Sequence, residues 1–196
     1  GHYRPYVIKE YEGKRFGIMG INLDPTGMID MTNCKGLVYH NTMKIANETA
    51  AYLKNVEKVD FVIMVSHIGY DIDSATSPGD VQIVKSSSDI DLVIGGHTHT
   101  LINPDDASSV PYMVKNKNGE TVYVTQTGKG GKYLGCIKID LDSLTVDYSL
   151  MNVNERWDSR AHYPSIEKFL AKYQKSVHAL LNKVVAQSAG AYVNNG

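Results

Sequence analysis

The spacing of apolar positions changes repeatedly along the chain, and each change marks an element. Tyr6-Val7-Ile8-Lys9-Glu10 and Arg15-Phe16-Gly17-Ile18-Met19-Gly20-Ile21 flank Glu12-Gly13-Lys14, the pattern of a hairpin. The second run is apolar at nearly every position, which predicts a strand buried on both faces. Residues 23–40 carry Pro25, Gly27 and Gly36 without a period, and read as a loop. Asn41 then caps a helix over 41–58, with Ile45, Ala46, Thr49, Ala50, Leu53 and Val56 on one face.

A short apolar strand follows at residues 60–65 and runs into Ser66-His67-Ile68-Gly69. Ser77-Pro78-Gly79-Asp80 reads as a helix start, with Ser77 as cap, Pro78 first and Asp80 third, the helix reaching about Ser86. Ile90-Asp91-Leu92-Val93-Ile94 is the next strand. It ends in Gly95-Gly96-His97-Thr98-His99-Thr100. Helices alternating with apolar strands predict an α/β fold with parallel strands joined by helical crossovers.

Beyond residue 110 the pattern alternates, at 121–125, 136–141 and 144–153, with turns at Asn118-Gly119 and Asp142-Ser143. This half reads as an antiparallel meander. A last helix over 165–185 carries Ile166, Phe169, Leu170, Tyr173, Val177, Leu180, Leu181 and Val184 as one stripe. The tail at Gln187-Ser188-Ala189-Gly190 adds no core, and there is no internal repeat.

Composition narrows the reading. The chain has 196 residues and a formal charge of −1, enough for one domain with an appendage and without the basic groove of a nucleic-acid binder. No apolar run approaches the roughly 20 residues of a membrane span. The start, Gly1-His2-Tyr3-Arg4-Pro5, carries no signal peptide and suits a mature or engineered end. Cys34 and Cys136 are too few for a disulfide framework. They read as free buried thiols, although a single bridge between them stays open.

Of the seven histidines, His67, His97 and His99 stand at strand ends. Open α/β sheets bind ligands outside the carboxyl ends of their strands. Two parallel strands one crossover apart would bring these imidazoles together, and imidazole suits Zn, Mn, Fe or Ni. An extended chain aims His97 and His99 to opposite sides, whereas a turn lets them serve two ions. His40, His162 and His178 stand apart and read as ordinary packed or solvated residues, and His2 as part of a tag. Tyr133 and Trp157 read as core or interface residues.

Val65-Ser66-His67-Ile68-Gly69 resembles the Ser-His-x-Gly motif of calcineurin-like metallophosphoesterases, and Gly96-His97-Thr98-His99 their Gly-His-x-His motif. Gly79-Asp80-Val81, residues 90–96 and residues 126–135 resemble the 5′-nucleotidase branch, as do 5–10 and 16–20. The resemblance covers about residues 3–150. It implies a four-layer α/β/β/α sandwich and a dinuclear centre of two divalent ions, Zn or Mn. His67 and His97 would bind one ion and His99 the other. The ions would polarise a phosphoryl group and acidify the attacking water. The substrate implied is a nucleotide or related phosphoester, in a periplasmic or extracytoplasmic setting.

The family's upstream motifs, an Asp-x-His, a Gly-Asp with a bridging carboxylate and a Gly-Asn-His, have no match in this sequence. Asp71, Asp73, Asp91, Asp105 and Asp106 stand outside such contexts and read as cap, turn or solvated carboxylates. The expectation is therefore a partial phosphoesterase domain over 1–158, its first half absent. A helical connector over 159–196 would lead toward a C-terminal nucleotidase domain. Such a chain has no complete catalytic set, holds ions partially or not at all, and associates with itself or with the missing half across an open sheet edge. The alternative is a degenerate, non-catalytic metal-binding or interaction module.

Overall fold

Glu12 and Gly13 both take positive φ, 47° and 79°, the two-residue turn that matches the twist of a hairpin. It joins β1 (Tyr6–Tyr11) to β2 (Lys14–Asn22) with Tyr11 opposite Lys14. The computed structural model describes residues 4–26, 28–74, 77–153 and 163–184. The remaining elements are α1 (Thr42–Asn55), β3 (Phe61–His67), α2 (Asp80–Ser86), β4 (Leu92–Ile94), β5 (Met113–Lys115), β6 (Thr121–Thr125), β7 (Tyr133–Ile139), β8 (Val146–Asn152) and α3 (Pro164–Leu181). The chain divides into two compact units, Gly1–Asn154 and Glu155–Gly196.

Within the first unit the α/β expectation holds. Six strands lie in the order β1-β2-β3-β4-β6-β5. The central pairs β2–β3, β3–β4 and β4–β6 are parallel, so four carboxyl ends lie side by side. One sheet face packs on α1 and α2 through Met19, Val62, Met64, Val93 and Val124 against Ala46, Ala50, Leu53, Ile83 and Val84. The pleat sends alternate residues to the other face. There Phe61 and Leu92 pack on Val146, with Ile137, Ile139 and Leu144 beside them. The β7–β8 hairpin thus forms a second β layer over part of that face.

Several sequence expectations change. β2 is not buried on both faces: Gly17 and Met19 face the helices, while Ile18 is half-buried and Gly20 exposed. The second β layer stops short of this end, leaving Val7, Val65 and Ile94 39–45% exposed. The downstream half is not one meander. β6 joins the main sheet parallel to β4, β5 folds onto its edge, and only β7–β8 stands apart.

Asn41 caps α1 as expected, its side chain accepting from Lys44 N, but the helix stops at Asn55. Its buried line is Thr42, Ala46, Ala50 and Leu53, with Ile45 and Val56 turned outward. Asp91 is neither cap, turn nor solvated residue. Its carboxylate accepts from Val62 N at 2.6 Å and pairs with Lys54 Nζ at 2.8 Å, pinning the start of β4 to β3 and α1. Both cysteines are free; Cys34 is buried and Cys136 half-buried.

α3 starts with Pro164 in its first turn, and the whole apolar stripe at Ile166, Phe169, Leu170, Tyr173, Val177, Leu180 and Leu181 is exposed. Gly1, His2, Gly27, Trp157, His162, Val185 and the tail at 187–190 lie outside the described residues.

Candidate functional site

β3 ends on His67, whose neighbour across the ladder is Asn22 at the end of β2. β4 stops at Ile94, and Gly95 N donates to Thr125 O at 2.8 Å, so the chain leaves the sheet between β3 and β6. Gly95 and Gly96 are required by close approach rather than by φ. A Cβ on Gly95 would lie 2.4 Å from Asp80 Oδ2, and one on Gly96 3.0 Å from His67 Nδ1. The glycine pair lets the chain pass beside both side chains.

His67 and His97 come together, ring centroids 5.3 Å apart and edge to face at 65°. Two imidazoles bound to one tetrahedral ion through nitrogen at about 2.0–2.1 Å have ring centres roughly 5 Å apart. The centroid spacing of the pair matches that value. His99 lies two residues on and is exposed. Among the described residues, no group of three or more His, Cys, Asp or Glu is arranged to hold an ion. His40 is exposed in the loop before α1, and His178 is exposed in α3.

The Gly96–Thr100 turn has an unusual backbone. His97 and His99 both take positive φ, 81° and 56°. For side chains other than glycine this conformation costs about 1–3 kcal/mol each, and it persists only where surrounding contacts fix it. Those contacts are present. Gly96 O accepts from Gly69 N at 3.1 Å, and Thr98 Oγ1 accepts from Tyr70 N at 3.1 Å, fastening the turn to the loop after β3. From the β6 side, the Gln126 side chain bonds to Gly96 O, Thr100 N and Thr98 Oγ1.

Ser77 does not cap α2. The N-cap is Gly79, without a side-chain bond, and the helix starts at Asp80. Asp80 instead points inward and is fully buried. Its Oδ1 accepts from Ser66 Oγ at 2.5 Å, while Oδ2 has no hydrogen-bond partner. Asp80 N donates to Gly69 O at 2.8 Å. Burial pushes this carboxyl up to about 7, against the opposing pull of the Ser66 hydrogen bond. Asp80 thus touches residues beside both histidine-bearing strand ends.

Asp71 accepts from Gln82 Nε2, and Asp106 from Ser108 N and Oγ, as turn and surface carboxylates do. Asp73 and Asp105 are exposed. Gln126 opens the matched segment 126–135, but neither its bonds to the turn nor the inward aim of Asp80 is legible in the sequence. A buried glutamine before a Gly-rich segment has no periodic signature, and an acid at a helix start reads first as dipole compensation.

Over 184 residues the chain is 25% identical to the trifunctional nucleotide phosphoesterase protein YfkN of Bacillus subtilis, covering 92% of this chain and 12% of that protein. A 5′-nucleotidase precursor from Thermus thermophilus superposes with TM-score 0.71 at 24% identity, over 93% of this chain and 36% of that one. Calcineurin-like phosphoesterase YfkN from Bacillus subtilis superposes with TM-score 0.68 at 21% identity, over 93% and 60% respectively. The proteins to which this chain is similar are 5′-nucleotidases and calcineurin-like phosphoesterases. No family model matches it. The chain thus spans well under two thirds of the length of the curated relatives it matches, 12% of YfkN and 39% of a 5′-nucleotidase of Vibrio parahaemolyticus. No described helix is long and apolar enough to cross a membrane.

Proposed function

We propose that this chain is the metal-ligating half of a phosphoester hydrolase centre acting on nucleotides or related phosphoesters. The observation that carries the reading is the His67–His97 pair, 5.3 Å apart at neighbouring strand ends, in a chain whose relatives are phosphoesterases. His67 and His97 would ligate one divalent ion, Zn or Mn, and His99 a second. The chemistry such ions supply is polarisation of the phosphoryl oxygens and acidification of water. The chain's own residues hold the imidazoles in place: Gly96 clears the space beside His67, and the bonded turn carries His97.

The pair leaves ligand positions open, and the carboxylates that complete the set come from a segment this sequence does not contain. The same segment would cover the open sheet face at Val7, Val65 and Ile94, completing the four-layer sandwich. In its absence a second copy covers that face. An extracytoplasmic setting accompanies this reading through the family resemblance.

The absence of a third ligand among the described residues favours a second reading, a non-catalytic module that binds one ion or none. One experiment separates the two. The chain, alone and extended by the coding sequence upstream of it, is assayed with AMP and Mn²⁺ or Zn²⁺, and both samples are examined by solution scattering. The proposal expects negligible turnover and a dimer for the chain alone. It expects metal-dependent hydrolysis and a monomer for the extended form. Hydrolysis by the chain alone at the extended form's rate, or none by the extended form, contradicts it.

A further inference from the structure

We infer that Gln126, outside every histidine motif, is the positioning residue that holds His97 and His99 in their left-handed backbone and so aims the candidate ligands. This rests on the metal-centre reading above for its consequence, and on hydrogen bonds alone for its mechanism. Gln126 follows β6 directly and is 3% exposed. Its Nε2 donates to Gly96 O at 3.1 Å, on the residue before His97. Its Oε1 accepts from Thr100 N at 2.5 Å, on the residue after His99. The same oxygen accepts from Thr98 Oγ1 at 3.3 Å, between the two histidines.

One amide therefore brackets the whole turn. Its orientation is fixed by chemistry: Thr100 N–H needs an acceptor, which the amide nitrogen cannot be, so oxygen and nitrogen cannot exchange. At the far end of the turn, loss of the Gln126 bond would leave Thr100 N–H without its acceptor; at the near end Gln126 adds a third donor to Gly96 O, beside Gly69 N and Thr98 N. The backbone of Gln126 adds to the clamp, since its carbonyl accepts from Ile102 N at 3.0 Å. Gln126 touches neither imidazole in these contacts and acts through the turn.

The test uses the full chain, metal-free, as wild type and as Gln126→Met, which keeps length and removes both polar atoms. NMR reads the strong intraresidue Hα–HN NOE that marks positive φ at His97 and His99, their ring ¹⁵N shifts, and Thr100 amide exchange. Wild type is expected to show both NOEs and a protected Thr100 amide. In the variant both NOEs weaken and the His97 and His99 ring shifts move, while those of His178 stay. Should the variant not fold, the wild-type measurement decides alone: a Thr100 amide exchanging like a free peptide overturns the inference. Retention of both NOEs and ring shifts in a folded variant also overturns it.

Zinc titration of the same samples supplies the consequence, a loss of tenfold or more in affinity in Gln126→Met. Unchanged affinity in a variant with a loosened turn overturns the aiming role. Wild type failing to take zinc overturns the metal-centre reading instead, and the NMR arm still decides the clamp.

Discussion

Asp80 shows how a single residue can serve a site it does not enter. Its carboxyl is buried against Ser66 and Gly95, beside the residues that lead to His67 and His97. A carboxyl raised to about 7 when folded keeps its proton where the unfolded chain releases it. Between about pH 4 and pH 7 the folded state binds more protons, so raising pH removes stability across that window. The shift corresponds to about 4 kcal/mol over the whole range. Asp80→Asn has no proton to lose there. Thermal melts from pH 5 to pH 8 are therefore expected to fall for wild type and to fall less for Asp80→Asn. Parallel pH profiles would show that Asp80 is not the titrating group. The sequence exposed His67, His97 and His99 because a His-x-His after a buried apolar run is a local pattern. Asp80 and Gln126 act through contacts across 14 and 30 positions of sequence, which no local spacing encodes.

At the scale of elements, the strands that carry the histidines were legible because both β3 and β4 are short apolar runs that end abruptly. β6 was not. Thr121 to Thr125 alternates whether it pairs antiparallel or parallel, and burial between β4 and β5 is decided by tertiary neighbours. α1 was placed by its cap, but its buried line was misread, since Ile45 and Val56 lie off the face that meets β2. That contact is tight. Leu53 is fully buried, and both its methyl carbons lie 3.0 Å from where a Cβ on Gly17 would stand. Leu53→Ala removes the side chain that fills this gap and is expected to cost about 2–5 kcal/mol, read in urea unfolding as a lower midpoint at unchanged slope. A loss under about 1 kcal/mol would mean that the site collapses around the smaller side chain.

The first unit as a whole is a sheet with a covered face and a half-covered one. Helices shield one side, and the β7–β8 layer shields part of the other, over Phe61 and Leu92 and, through Tyr148, over Tyr112 and Ile102. The uncovered end is the carboxyl end, where the imidazoles stand. On the proposed reading, the open apolar surface and the candidate ligands lie at one place, and one added segment would complete both. The proposed centre depends on His67 and His97 acting as a ligand pair. Calorimetric titration of the untagged chain with Zn²⁺ tests it most directly, using wild type, His67→Ala, His97→Ala and His178→Ala. The account predicts one bound ion in wild type and in His178→Ala, lost or weakened at least tenfold in either His67→Ala or His97→Ala. Equal binding in all four proteins, or none in wild type, would contradict it.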